Sequence, residues 1–301
     1  MEPILLPSDP QSDARTLLFF KAGIARFPWI SSMPNFLKRS QIIRQKGTHS
    51  CLANRGDLYT SCVECNNTFP VIGAGGVFKN LFPEEFKFSS ALYTFDIGHN
   101  DLTAGYQLNM SPEQVKAYIP DVISEFTTTI KNVYALGGRS FWIHNTGPAG
   151  CLPYMMDTQG ITAAQVDKYG CVATINNVSQ YFNKKLKEAI ILQSPMLMFI
   201  QSNIHSLPNL KSSVRFGDPF LVCCGHGGKY NFNIAMRCGW TKMVNGTKTV
   251  IAKSCEDPSS RIMWDGLHFT EVANRWIYNQ IADGAYSDPP IPLKTVCHRM
   301  I

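Results

Sequence analysis

Three short apolar runs, spaced by long helical stripes, constrain this chain more than anything else in it. The runs are Ala91–Ile97, Phe141–Asn145 and Met196–Ile200. Each is five to seven residues long and mostly apolar, and the first ends at a glycine, which is consistent with buried parallel strands. Between the first two, Ser111-Pro112-Glu113-Gln114 reads as a helix start, with Ser at the N-cap, Pro at the first position and Gln three residues on. Ile123, Phe126, Ile130 and Val133 then recur on one helical face, and Gly137-Gly138 ends it. Pro120 is expected to kink or split that helix. Between the second and third runs, Val172, Ile175, Val178, Phe182, Leu186 and Ile190 mark another long amphipathic helix. This β-α-β-α-β alternation predicts an α/β fold, a doubly wound parallel sheet with helices on both faces.

In such sheets ligands bind beyond the carboxyl ends of the strands. The first run delivers Gly98-His99-Asn100-Asp101 to that edge, and the second delivers the loop Thr146–Pro153. Near the C-terminus, Trp264-Asp265-Gly266-Leu267-His268-Phe269-Thr270 forms a glycine-containing turn before a third amphipathic stretch. Three residues apart on such a turn, a carboxylate can accept the Nδ1–H of an imidazole and leave Nε2 free as a base. Asn100 has two readings on its own residues, an amide aimed into a site or a cap on the following turn.

Thr94–Leu102, Trp142–Pro153, Cys223–Asn231 and Trp264–Thr270 together resemble the plant GDSL esterase/lipases of the SGNH hydrolase superfamily. The likeness runs over roughly Gly75 to Arg299, with a short piece at Asn35–Arg44 expected as a surface helix. The resemblance implies a flavodoxin-like three-layer α/β/α fold. It also implies ester hydrolysis through an acyl-enzyme, with a serine nucleophile, a histidine base and an aspartate three residues earlier. Carried over residue by residue, His268 is the base, Asp265 its orienter, Asn100 an oxyanion donor, and Gly98 allows close backbone approach. No cofactor and no metal is implied, and the partner is a small-molecule or lipid ester.

Two blocks of the family pattern have no counterpart in these 301 residues. No G-D-S occurs, and Gly56-Asp57-Leu58 has leucine where serine is needed. The glycine block of the oxyanion hole is missing too. The strand that carries G-D-S is therefore expected to be absent, leaving a neighbour's edge bare, although an apolar patch stands at Leu17–Ala25. On this reading residues 1–34 are unmatched and 35–301 form a hydrolase domain incomplete at its N-terminus. Residues 48–74 would be an insertion. The chain is then an esterase form lacking its nucleophile, or a non-catalytic relative that binds a lipid or glycan ligand.

Hydrophobic content of 45% fits a globular core, and no apolar run reaches the roughly 18 residues of a membrane span. The net charge of +6 reads as spread along the chain, with no basic block that would point to nucleic acid. Ten cysteines and four N-x-S/T sequons, at Asn66, Asn109, Asn177 and Asn245, suit a secretory scaffold. The first residues lack the basic and apolar regions of a signal peptide. Cys62-x-x-Cys65 has no second ligand pair for zinc, and Cys223–Gly228 is expected to be a disulfide-stapled loop.

Overall fold

A computed structural model of the chain describes residues 17–22, 92–135, 137–192, 198–202, 216–293 and 295, with the backbone alone for 17–22, 192 and 198–202. The expected helix at Asn35–Arg44, the insertion 48–74 and Cys62-x-x-Cys65 lie outside these residues.

Four parallel strands form the main sheet in the order β1-β2-β3-β4. They are β1 (Leu17–Ala22), β2 (Leu92–Ile97), β3 (Ser140–His144) and β4 (Met198–Ser202). The last three fall on the three apolar runs. β1 corrects the expectation of a missing first strand: Leu17–Ala22 pairs residue for residue with Leu92–Ile97, so β2 has a parallel neighbour on both sides. The apolar run in the unmatched N-terminal segment supplies the backbone partners that a bare edge would lack.

The connection from β2 to β3 runs through α1 (His99–Gln107) and α2 (Pro112–Ala135). Helix α2 opens with a reciprocal cap, Ser111 N–H donating to Gln114 Oε1 at 2.8 Å and Gln114 N–H to Ser111 Oγ at 3.3 Å. It is one element of 24 residues, not split at Pro120. Pro120 stands on the exposed side, while Val115, Tyr118, Ile119, Val122 and Ile123 are buried on both sides of it. Burial of the opposite stripe keeps the two halves together.

From β3 the chain passes through α3 (Pro153–Thr158) and α4 (Ala173–Leu192) to β4. Val172, Ile175, Val178, Phe182, Leu186 and Ile190 are all buried, as the stripe requires. Both α2 and α4 pack with Tyr93, Phe95, Ile97, Phe141 and Ile143 in one core. The two crossovers thus lie on the same face of the sheet. Successive right-handed crossovers that advance in one direction cannot do otherwise. The second face is covered by the C-terminal helix α5 (Glu271–Ile281), whose Ile277 and Ile281 pack with Leu92 and Trp142. The result is a three-layer α/β/α arrangement.

Among the described residues 216–270, regular structure is limited to two small antiparallel pairs and a short 3-10 turn at Pro258–Ser260. The pairs are β5 (Cys224–Gly225) with β8 (Lys253–Ser254), and β6 (Thr241–Val244) with β7 (Thr247–Val250). Disulfides Cys223–Cys255 and Cys224–Cys238 staple this segment, as the glycine-rich loop led us to expect. A third, Cys151–Cys171, ties the loop after β3 to the start of α4. Among the described residues no helix is long and apolar enough to cross a membrane.

Candidate active site

The turn before α5 brings Asp265 and His268 into direct contact. His268 Nδ1 lies 2.8 Å from Asp265 Oδ2 and 3.0 Å from Oδ1. Asp265 Oδ1 also accepts the backbone N–H of Leu267 at 3.1 Å and of His268 at 2.9 Å. The carboxylate therefore caps its own turn while it holds the imidazole, which is why a spacing of three suits both tasks. Burial pushes the Asp265 carboxyl up, but the His268 ring and the two N–H groups outweigh it and hold the group below its ordinary range. An ionised Asp265 accepts from Nδ1 and turns the ring nitrogen Nε2 outward as an acceptor.

The turn is fixed from every side. Trp264 N–H donates to His268 O at 2.7 Å, and Met263 bridges Phe269. Cys223 N–H and Cys224 N–H donate to Met263 O and Trp264 O at 3.0 and 2.6 Å, so the disulfide segment backs the strand that enters the turn. Thr270 caps α5, its Oγ1 accepting Ala273 N–H at 3.2 Å. Gly266 has φ 88°, and a Cβ there would stand 2.5 Å from the Phe232 ring, so both the conformation and the space exclude a side chain.

Gly98 and Asn100 form the second patch, at the carboxyl end of β2. Gly98 caps α1 with φ 97°, and a Cβ would stand 2.5 Å from Cε1 and Cζ of Phe182. The main chain can pass here only because glycine offers no side chain. Asn100 sits exposed in the first turn of α1. Between the two patches runs the loop after β3. Gly147 lies beside His99, and Tyr154 N–H donates to Gly266 O at 3.2 Å.

Three polar side chains on α4 hold that loop, and sequence reasoning missed all of them. Asn183 grips Thr146 by both backbone groups, Oδ1 accepting its N–H at 2.9 Å and Nδ2 donating to its carbonyl at 3.0 Å. Asn176 Oδ1 accepts Gly150 N–H at 2.9 Å, and Ser179 Oγ accepts Ala149 N–H at 3.3 Å. The signal was present: Asn176, Ser179 and Asn183 recur at helical spacing inside an otherwise apolar stripe. Among the described residues no group of three or more His, Cys, Asp or Glu is placed to hold a metal ion.

A family model described as GDSL-like Lipase/Acylhydrolase matches residues 70–281. A GDSL esterase/lipase of Arabidopsis thaliana is 50% identical over 232 residues, 75% of this chain and 61% of that protein. A GDSL esterase/lipase of Zea mays is 46% identical over 232 residues, 74% of this chain and 59% of its own. A protein of Arabidopsis thaliana named Alpha-L-fucosidase 3 is 45% identical over 226 residues, 73% and 61% respectively. The chain thus spans about three fifths of the length of these relatives. With the family pattern matched over most of its residues, the chain belongs to the GDSL-like lipase/acylhydrolase family.

Proposed function

We propose that this chain carries the acid–base half of a carboxylic ester hydrolase site, with a small-molecule or lipid ester as substrate. The Asp265–His268 pair carries the reading. His268 Nε2 takes the proton of a serine hydroxyl as it attacks the ester carbonyl, forming the new C–O bond of a tetrahedral intermediate. His268 then returns that proton to the departing alcohol, and a water repeats the sequence to release the acid. Asp265 holds the tautomer and offsets the positive charge that the ring gains. Asn100 donates its side-chain amide to the oxyanion, and Gly98 lets the backbone come close. No step requires a metal or an electron carrier.

These 301 residues contain no G-D-S, so the chain by itself is expected not to hydrolyse p-nitrophenyl esters above buffer background. Loss of a triad serine costs on the order of 10⁶ in kcat. The cysteines, disulfides and sequons support a secreted glycoprotein setting. The name of the fucosidase relative raises glycoside hydrolysis, which needs two carboxyl groups flanking the bond. Asp265 is already engaged with His268 and its own turn, which favours the ester reading. The second reading, a non-catalytic relative binding a lipid or glycan ligand, is favoured by the missing serine.

A graft separates the two. Replacing the first residues by a family-type strand bearing G-D-S and the glycine block, with 48–74 deleted, is expected to create an esterase. His268→Ala should abolish that activity, and Asn100→Ala should lower kcat by about 10²–10³. Asp265→Ala should leave more activity than His268→Ala, because the base remains. A folded graft that is inactive, or indifferent to His268→Ala, refutes the assignment and leaves the ligand-binding reading.

A further inference from the structure

Between Asp218 and Glu256 the chain has no carboxylate side chain, yet it carries Lys229, Arg237, Lys242, Lys248 and Lys253. All five are exposed, and none joins an ion pair among the described residues. Of the eight large hydrophobic residues exposed among the described residues, four lie in this stretch: Ile234, Met243 at 62%, Val244 at 41% and Val250 at 47%. Two of these cations, Lys242 and Lys248, and three of these apolar side chains, Met243, Val244 and Val250, lie on one feature.

That feature is the finger formed by β6 and β7, which turns at Asn245 (φ 48°) and Gly246 (φ 75°). Every residue from Lys242 to Val250 is exposed, so both faces of the ribbon meet water. The register places Met243 opposite Lys248 on one face, and Lys242 beside Val244 on the other. A lone two-stranded ribbon is marginal in water. This one is clamped at its base, where Gly239 N–H donates to Ala252 O at 2.8 Å and Ile251 N–H to Trp240 O at 2.9 Å. The two disulfides stand just outside those bonds.

Lysines alone on such an edge guard against pairing with another strand. They do not account for Met243, Val244 and Val250, whose exposure is unfavourable unless something covers them. An acidic polysaccharide would meet the cations and leave those side chains in water. A phospholipid surface satisfies both, with apolar groups in the acyl boundary and ammonium groups among anionic headgroups. We propose that the β6–β7 finger is an interfacial anchor that seats this chain on an anionic phospholipid surface. The same disulfide segment donates from Cys223 and Cys224 to the strand entering the Asp265 turn, so anchoring also orients that turn.

The test is co-sedimentation of the full chain with phosphatidylcholine vesicles, with and without phosphatidylglycerol. The protein is assayed both without glycans and as the glycoprotein, because Asn245-Gly246-Thr247 is an acceptor sequence at the same tip, and binding by the glycan-free form alone would overturn the proposal. Binding is expected with phosphatidylglycerol, weak without it, and falling with salt. Lys242→Glu with Lys248→Glu should weaken it about 25-fold or more, about fivefold for each lysine removed. Met243→Ser with Val244→Ser should weaken it by about tenfold, and this loss should persist in salt. Equal binding to both vesicles, no binding to either, or sedimentation with polygalacturonate alone would overturn the proposal. So would a lysine variant that binds as before but self-associates, which would make the lysines edge guards. No readout requires turnover, so this result and the ester-hydrolase reading stand or fall separately.

Discussion

Gly98→Ala should unsettle the fold at the edge where the candidate site lies, and its cost can be worked from two separate terms. The residue has φ 97° and ψ −24°, a conformation that L side chains adopt only with strain of about 1–3 kcal/mol. The new methyl would also stand 2.5 Å from two atoms of the Phe182 ring, which is itself fully buried. Forcing a buried ring aside typically costs about 1–3 kcal/mol. The sum, about 2–6 kcal/mol, is a large part of the stability of an ordinary domain. Phe182→Leu removes the colliding ring atoms but leaves the backbone strain. In urea denaturation, Gly98→Ala with Phe182→Leu should therefore be less destabilised than the two single changes added together. The difference should be about the packing term, roughly 1–3 kcal/mol. A single mutant within about 0.5 kcal/mol of the parent, or strictly additive effects, would refute the reasoning.

Asn183→Ala should cost about 2–4 kcal/mol, because it removes two hydrogen bonds and leaves the buried N–H and carbonyl of Thr146 without partners. A denaturation midpoint checks this, and Asn183→Asp, which keeps an acceptor for the N–H, should recover part of the loss. His144 gives a pH prediction. Burial pushes its imidazole below the ordinary range, with Asp96 opposing, so the folded state resists a proton that the unfolded chain accepts. Stability should be full above about pH 6.5 and fall as pH drops from there toward the depressed folded value. Urea midpoints measured across that range should flatten in His144→Gln, and equal slopes in both proteins would exclude the residue as the cause.

Periodicity made most of the sheet legible. The runs that became β2, β3 and β4 are short and mostly apolar, and the stripes of α2 and α4 recur at helical spacing. The Ser111–Gln114 cap and the Asp265–His268 contact were legible for a related reason, since each is closed by residues three apart. What escaped was decided at longer range. Leu17–Ala22 is apolar but matches no family block, and what places it as a strand is its pairing with β2, a distant partner. The face taken by each crossover depends on the direction of strand order, which no local stretch encodes. Pro120 reads locally as a break, yet burial on the far side of the helix prevails. The Asn245-Gly246 turn, which lies inside a sequon, is also a strong hairpin signal, and it pairs Thr241–Val244 with Thr247–Val250.

The two patches of the candidate site are built in different ways, and this bears on how each tolerates change. Asp265 and His268 are set by contacts within one turn and by the disulfide segment behind it, while Tyr154 N–H on Gly266 O and the packing of Leu267 and Phe269 against the core tie that turn to the sheet. Their mutual geometry should survive alterations in the sheet. Gly98 and Asn100 depend instead on where β2 ends and on Phe182 beneath the backbone. The loop from Thr146 to Tyr154 touches both patches, beside His99 at one end and on Gly266 at the other. Asn176, Ser179 and Asn183 anchor that loop to α4, the same helix that supplies Phe182. One helix thus fixes both the position of the Gly98 backbone and the piece that spans to the Asp265 turn. Substitutions along its polar stripe would shift one patch relative to the other while leaving the Asp265–His268 contact intact. On the proposed ester-hydrolase reading that separation matters, because a displacement of about 1 Å between base and oxyanion donor costs roughly two orders of magnitude.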